Sequence, residues 1–248
     1  MTSCLYNAAM KVMDVTFPTP EENLACDEAL LELSENGLNE EVLRFWESPS
    51  YFVVLGFSNK AAREVNLPAC ETASIPVLRR ASGGGTVLQG PGCLNYSLIL
   101  QIPHSGPLRN LKSTNEYVME KNCGALQALL GPVVKTEGIT DLTLNGLKFS
   151  GNAQRRKMNY FLFHGTFLYQ FDISKIEIYL DHPSIQPVYR QNRTHQKFLT
   201  NLPVDAAAIK VAMRRAWDAH KVLTKLPSRG VQQMIDEKYS RREWNFKF

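Results

Sequence analysis

Residues 79–92 read RRASGGGTVLQGPG. Three glycines in succession follow a serine, with two arginines just upstream. Glycine loses more backbone freedom on folding than any other residue, so three together ask for a reason. A Ser-Gly-Gly-Gly turn lets the main chain approach a ligand closely and turns its N–H groups toward an anion. Arg80, two residues before Ser82, carries a planar fork that matches phosphate or carboxylate. The plainer alternative is a flexible hairpin loop beside a surface arginine. The segments on both sides read as strands and no GK[ST] follows, which excludes a phosphate loop of the strand-to-helix kind.

Two further stretches carry chemistry. In NGLKFSGNAQRR (145–156), Lys148 opens a strand and Ser150, Gly151, Asn152 and Ala153 follow it. Small residues there let a ligand lie against the backbone, and Lys148 adds a mobile positive charge. The alternative is a lysine on a solvated strand face. In FHGTFLY (163–169), His164, Gly165 and Thr166 interrupt an apolar strand. A histidine so placed serves either a site or the core.

The elements that must hold these stretches can be read from pattern. KVMDVTF is a strand. Thr19 caps a helix that has Pro20 at its first position and Glu22 closing a capping box. The apolar residues of that helix surround it, so it is largely buried, and Asp27 and Glu28 either solvate one edge or reach a site. EVLRFWE, YFVVLGF, IPVLRR, CLNYSLILQI, ITDLTLNG, LKFSGNAQ and NYFLFHGTFLYQF read as strands. The glycines therefore join IPVLRR to CLNYSLILQI. Asn145–Gly146 marks a hairpin. STNEYVMEKNCGALQALL is a helix with a second capping box, Ser113 to Glu116, and the C-terminal stretches VDAAAIKVAMRRAWDAHKVL and GVQQMIDEKYS are helical. The fold class expected is α+β, a mixed, mainly antiparallel sheet with packed helices.

Composition bounds the rest. The 248 residues are 44% hydrophobic and 21% charged, an ordinary globular balance. A net charge of +4 with no long basic block suggests an acidic partner and argues against nucleic acid. Five scattered cysteines without a CxxC suggest neither a zinc site nor a disulfide framework. No apolar run approaches the ~18 residues of a spanning helix, and the N-terminal stretch lacks a signal-type apolar core. These features predict a reduced, cytoplasmic protein without a membrane span.

In order and spacing, RRASGGGTV, the lysine of GLKFSGNAQRR, and HGTFLY resemble the lipoate-protein ligase family, which is related in fold to biotin-protein ligases. The resemblance covers most of residues 10–180. It implies one catalytic domain over 1–248, with a core of about 10–180 and a C-terminal helical extension of about 181–248. It also implies a two-step reaction. Lipoate or octanoate attacks the α-phosphate of ATP, with Mg2+, and pyrophosphate leaves; a lysine amine of an acceptor then takes the acyl group from the adenylate. Lipoyl domains of 2-oxoacid dehydrogenases or the glycine cleavage H protein would be the acceptors. By the family pattern Lys148 is the catalytic cation. Arg80, Ser82, Gly83, Gly84, Gly85, Thr86, Val87 and Gln89 would bind nucleotide or acyl group, together with Gly151, Asn152, Ala153, His164, Gly165 and Thr166. No residue is assigned as a metal ligand. Val87, Leu94 and the YFLF of 160–163 would line an acyl tunnel.

The chain departs from that pattern in places. Gln89 stands where the family often has histidine, and it cannot change charge near neutral pH. Many relatives carry an accessory domain that closes over the adenylate, and none is apparent here. A second protein could supply that step, and the basic stretch YRQNRTHQKFL (189–199) either covers the nucleotide or is a solvated loop. The main competing function is that of an octanoyl or lipoyl transferase working through a cysteine thioester. Its nucleophile would stand at Phe161–Leu162 or near Thr140–Leu142, and no cysteine does; Cys93 is the residual candidate. A non-catalytic acyl- or nucleotide-binding protein is a third possibility, against which Lys148 argues, and a biotin-specific ligase is a fourth.

Overall fold

The computed structural model describes residues 9–248. Eleven strands occur among these residues and are numbered along the chain: β1 (Lys11–Asp14), β2 (Val42–Trp46), β3 (Phe52–Leu55), β4 (Val77–Arg79), β5 (Val87–Gln89), β6 (Cys93–Gln101), β7 (Val134–Glu137), β8 (Asp141–Leu144), β9 (Leu147–Arg156), β10 (Tyr160–Leu168) and β11 (Lys221–Val222). Eight form one sheet in the order β11-β1-β2-β6-β10-β9-β8-β7. Pairing is antiparallel from β2 to β7 and parallel on both sides of β1. A second sheet has the order β4-β3-β5. The fold is α+β with a mixed, mainly antiparallel sheet, as the pattern predicts.

Alternation along the central strands decides what each face holds. On β10, Phe161, Phe163 and Phe167 pack with Leu94, Tyr96 and Leu98 of β6 in one core. The helices Leu111–Leu130 and Ala206–Ala216 cover it with Val118, Leu126, Ile209 and Met213. Tyr160 and Leu162 point the other way, into the core beneath helix α1 (Pro20–Leu33). His164 and Thr166 share their parity and so face the α1 side. Replacing one of these core phenylalanines by alanine is expected to cost about 3–5 kcal/mol.

Helix α1 starts as its sequence predicts: the Thr19 hydroxyl accepts from the Glu22 N–H, and Glu22 accepts from the Thr19 N–H at 2.9 Å. Asp27 and Glu28, however, do not solvate an edge. Both are buried. Asp27 meets the buried Arg44 guanidinium of β2 at 2.5 Å, and Glu28 accepts from Lys238 and from the Tyr239 hydroxyl.

Other expectations are corrected. The helix at 111 is capped by Asn110, whose side chain accepts from the Ser113 N–H at 3.0 Å; Ser113 is already inside it, so no capping box forms there. The glycine turn is not a hairpin and does not lead directly to β6. It joins β4 to β5, which flank β3 on opposite sides, parallel and antiparallel respectively. The Asn145–Gly146 hairpin does form, with φ of 52° and 78° in a two-residue turn. The C-terminal region is not only helical: β11 joins the main sheet beside β1, and Leu202, Ile209, Met213 and Trp217 complete the β10–β6 core. No helix of the described residues is long and apolar enough to cross a membrane.

Candidate active site

A cavity of about 850 Å³ opens on the α1 side of β9 and β10. Lys148, the second residue of β9, extends into it. Its Nζ lies 2.8 Å from Asp141 Oδ1, and the Tyr189 hydroxyl donates to Asp141 Oδ2 at 2.7 Å. Burial and the Asp141 charge both push the Tyr189 hydroxyl well above the ordinary tyrosine range, so it stays a donor. A Cβ at Gly151 would come within 2.9 Å of the ammonium, so glycine is what lets the lysine lie flat on its strand.

Asn152 is held by a buried chain. Trp217 Nε1 donates to Asn122 Oδ1 at 2.8 Å, Asn122 Nδ2 donates to the Tyr96 hydroxyl at 2.7 Å, and Tyr96 donates to Asn152 Oδ1 at 2.6 Å. The Asn152 amide then donates to the Thr140 carbonyl at 2.6 Å. Gly165 faces this carboxamide across the strand pair, and any side chain there would run into Asn152 Oδ1.

The glycine turn is shaped by Arg80. Its guanidinium is buried, which lowers its pKa to about 10 and leaves it charged at neutral pH. The fork does not reach out to a ligand, as its sequence position suggests. It donates to the carbonyls of Gly83 (2.6 Å) and Gly85 (2.8 Å) and to the Ser82 hydroxyl (3.1 Å). A trans peptide points its C=O and the next N–H in opposite directions. Drawing those two carbonyls inward therefore turns the N–H groups of Gly84 and Thr86 outward, and neither donates to a described residue. Gly84 sits at φ +88°, which an L side chain rarely adopts. The result is a positively polarised concavity of the kind that binds phosphate.

The turn is pinned from behind. Ser82 Oγ lies 2.5 Å from His164 Nε2, and His164 Nδ1 lies 3.7 Å from Asp27 Oδ2. Burial raises the Asp27 pKa, but the Arg44 charge and the His164 contact outweigh it, and the carboxyl ends below its ordinary value. Arg44–Asp27–His164–Ser82–Arg80 is thus one polar line from β2 through α1 and β10 to the turn.

Several buried polar atoms around the cavity have no partner: Trp46 Nε1, Thr86 Oγ1 and Gln89 Oε1, and also Arg190 Nη2 and His195 Nε2. Buried polar groups are almost always hydrogen-bonded, so these five atoms, which expose no surface to the cavity, stand out behind its wall. Burial and Arg190 lower the His195 pKa to about 4, so its ring is neutral at pH 7.

Of the residues singled out from sequence, Arg80, Gly84, Gly85, Thr86, Val87, Gln89, Lys148, Gly151, Asn152, Ala153, His164, Gly165 and Thr166 line the cavity. Ser82 is buried behind the turn and Gly83 is exposed on it; neither is on the wall. Leu94 and the 160–163 segment lie in the cores, and Leu24, Trp46, Val54 and Phe149 form apolar wall instead. Asp27, Trp46 and Asp141 also belong to the wall and carry no motif of their own. Tyr189, Arg190, His195 and Phe198 do too, so the basic 189–199 stretch covers the cavity and is not simply a solvated loop.

No described cysteine lines the cavity. Cys26, Cys70, Cys93 and Cys123 are buried, and burial raises every one of these thiols, Cys26 and Cys93 to about 12. Cys4 lies outside the described residues. Among the described residues no three His, Cys, Asp or Glu side chains cluster as a metal site.

Residues 19–217 match the lipoyl protein ligase A/B catalytic domain model. The octanoyltransferase LipM of Carboxydothermus hydrogenoformans is 30% identical, the match spanning 92% of this chain and 94% of that one. A probable lipoate-protein ligase A of Mycoplasma pneumoniae is 28% identical over 96% of this chain and 72% of its own. One chain from a study of a bi-partite lipoate protein ligase and its E2 lipoyl domain from Thermoplasma acidophilum superposes with a TM-score of 0.82 at 21% identity, 96% of each chain covered. A lipoate-protein ligase A bound with ATP superposes at 0.81 with 22% identity, covering 96% of this chain and 98% of the other.

Proposed function

The chain belongs to the lipoyl protein ligase A/B catalytic domain family, and on that premise we propose that it works as an ATP-dependent ligase, joining lipoate or octanoate to a lysine of an acceptor lipoyl domain. The observation that carries the ligase reading over the transferase one is the cavity wall. It holds a lysine and an outward-facing N–H turn, and no described thiol. A thioester route needs a thiolate within reach of the acyl carbonyl.

In the first step a carboxylate oxygen of the acid attacks the α-phosphorus, the bond from that phosphorus to the bridging oxygen breaks, and pyrophosphate departs. Charge grows on the α-phosphate oxygens. Lys148 Nζ and the Gly84 and Thr86 N–H groups are preset donors for it. In the second step the acceptor amine attacks the acyl carbonyl, the carbonyl–oxygen bond to AMP breaks, and the amine loses a proton to solvent. Lys148 again steadies the leaving phosphate. Magnesium in such sites is held mainly by phosphates and one or two carboxylates. Asp141, beside Lys148, would be the carboxylate to hold such an ion only in exchange for its Lys148 or Tyr189 contact, and the ion would offset charge on the phosphates.

Structural neighbours have been captured with lipoic acid and with ATP, and the T. acidophilum system pairs its ligase with a lipoyl domain. We extend both to this chain. That relative is bi-partite, so a second protein is the first addition to make where activation of the acid is incomplete. Lipoyl domains of 2-oxoacid dehydrogenases and the glycine cleavage H protein are the acceptors to try.

The test is release of pyrophosphate from ATP and lipoate by the purified chain, followed by acceptor modification. Release supports the ligase reading. No release, with acyl transfer from an octanoylated carrier protein, establishes the transferase.

A further inference from the structure

Residues 181–200 cross the cavity as a strap that is tied down at three places. The Asp181 N–H donates to the Glu64 carbonyl at 3.2 Å, the Tyr189 hydroxyl donates to Asp141 at 2.7 Å, and the Thr200 N–H donates to the Lys148 carbonyl at 2.9 Å. Between these anchors Ile185 and Val188 turn outward, 89% and 95% exposed, although both border the cavity. They therefore stand at its mouth. The turn between β7 and β8 meets the strap here: a Cβ on Gly138 would lie 3.4 Å from the Tyr189 ring and 3.6 Å from Pro187. That turn brings Ile139, 77% exposed, to the same mouth. Apolar side chains exposed singly need no explanation. Three gathered around one opening, rimmed by polar residues, mark a surface that meets another protein.

The strap also carries one sign of charge. Residues 182–197 contain no Asp or Glu, and Arg190, Arg193 and Lys197 lie among them. None of the three pairs with a carboxylate of the described residues. Glu177 is the acid beside them, and it accepts from the Gln196 N–H at 3.3 Å. The two arginines brace the strap: Arg190 Nε donates to the Arg193 carbonyl at 3.1 Å, and Arg193 Nε to the Arg190 carbonyl at 3.0 Å. Carbonyls are neutral, so both positive charges stay uncompensated. Lys197 is exposed.

In the second step of the proposed reaction a lysine of a folded acceptor must reach the acyl carbonyl beside Lys148. A lysine side chain is short, so the acceptor's main chain comes down onto the mouth of the cavity. The residues flanking that lysine then meet the strap. We propose that the outer face of the strap, with Ile139 beside it, is the docking surface for the acceptor. The partner it fits carries its target lysine on a projecting turn, with an apolar side chain against Ile185 and Val188 and carboxylates toward Arg193 and Lys197. The inference rests on the lysine-acceptor reading above. The apolar contacts hold the complex, while the charges speed its encounter and disfavour a basic partner.

The full chain and its Ile185→Asp/Val188→Asp variant are compared in transfer from supplied lipoyl-adenylate. The acceptors are a lipoyl domain of a 2-oxoacid dehydrogenase and hydroxylamine, a small nucleophile that needs no docking. The variant's KM for the domain should rise at least tenfold with kcat within about threefold, and hydroxamate formation should stay within twofold. Ile185→Leu/Val188→Ile should restore the parent KM. Lys197→Glu should raise the same KM several-fold at low ionic strength and little at high, because salt screens exposed charges. An unchanged KM for the domain overturns the proposal. So does an equal loss with hydroxylamine, which would mean that the cavity itself is damaged. If the variant instead loses only the stimulation of pyrophosphate release by an added second protein, the strap docks that protein and the proposal falls. If the double variant does not fold, Val188→Asp alone takes its place in the same comparison. Failure of the ligase reading looks different: the parent releases no pyrophosphate and accepts the acyl group only from an octanoylated carrier protein. The KM comparison for the lipoyl domain is then made with that donor.

Discussion

His164 and Ser82 meet at 2.5 Å, Nε2 to Oγ, although 82 residues separate them. The contact ties the glycine turn to β10, the strand that forms the cavity floor. His164 also lines the cavity, so one imidazole both shapes the turn and faces the ligand. His164→Ala should unpin the turn. A net hydrogen bond is worth about 0.5–1.5 kcal/mol, so affinity for an acyl-sulfamoyl adenosine should weaken about 2- to 13-fold. His164→Gln, which can still reach Ser82, should recover part of it. Unchanged affinity in the alanine variant would remove His164 from the positioning of the turn.

Asp27 and Arg44 give the molecule an acid-sensitive joint. The Asp27 carboxyl is held below its ordinary 3.8 in the folded protein by Arg44 and His164 against the opposing effect of burial. Its contribution to stability is therefore full above that value and is lost as pH falls through the lower, folded one. Asp27→Asn leaves the Arg44 charge buried and unpaired, and should cost about 3–5 kcal/mol at pH 7. The gap between parent and variant should shrink in urea titrations at pH 3. A gap of the same size at both pH values would show that the ion pair is not what the substitution removes.

Lys148→Ala should slow adenylation by ~10²–10³, the usual cost of one strong transition-state donor. Lys148→Arg should be nearly as slow, since a planar fork replaces a compact charge lying over Gly151. Both variants should melt close to the parent, because Asp141 keeps its Tyr189 hydroxyl. Single-turnover adenylation, and separately transfer from supplied lipoyl-adenylate, measures the effect. Rates within a few-fold of the parent in both assays would leave Lys148 without a catalytic role.

Replacing all five cysteines by serine or alanine should leave ATP-dependent acylation intact. The four described thiols are buried and pushed up, so none is a thiolate at neutral pH. The replacements at Cys26 and Cys93 should lower the melting temperature, as loss of close-packed core atoms does. Activity that vanishes on one replacement while circular dichroism stays native would turn the mechanism toward a thioester.

Much of this arrangement is legible from residue types. The lysine, the glycine turn and the His-Gly-Thr strand announce themselves, because each breaks a local rule that a merely structural segment would obey. Asp27 does not, since an acidic residue in a helix is ordinarily solvent-facing; only the tertiary fit of Arg44 from β2 makes its burial tolerable. The direction of the Arg80 fork is equally hidden. Sequence shows a cation beside glycines, whereas the carbonyls that absorb its donors are set by the β4-to-β5 crossing over β3. That crossing escapes a pattern reading because β5 is three residues long and reads as part of the turn. Trp244 lies far from every motif in the chain, yet its indole donates to the Arg79 carbonyl at 2.8 Å and its ring packs on Phe57, whose N–H donates to the Ser82 carbonyl.

Trp217 has one polar hydrogen and no acceptor, so the row it begins can run only one way. Indole to Asn122, Asn122 to Tyr96, Tyr96 to Asn152: each group is told which of its atoms must give and which must receive. The Asn152 amide is thereby held at its oxygen by the end of this row, as the Thr140 carbonyl holds it at its nitrogen. A shortened chain that stops before Trp217 would free Asn122 to rotate and would pass that indifference along the row. Asn152 would keep its orientation through the Thr140 carbonyl, which can only accept, but its oxygen would lose a donor of fixed direction. The C-terminal boundary of any transplanted or minimised version therefore reaches, through three side chains, an amide some distance away.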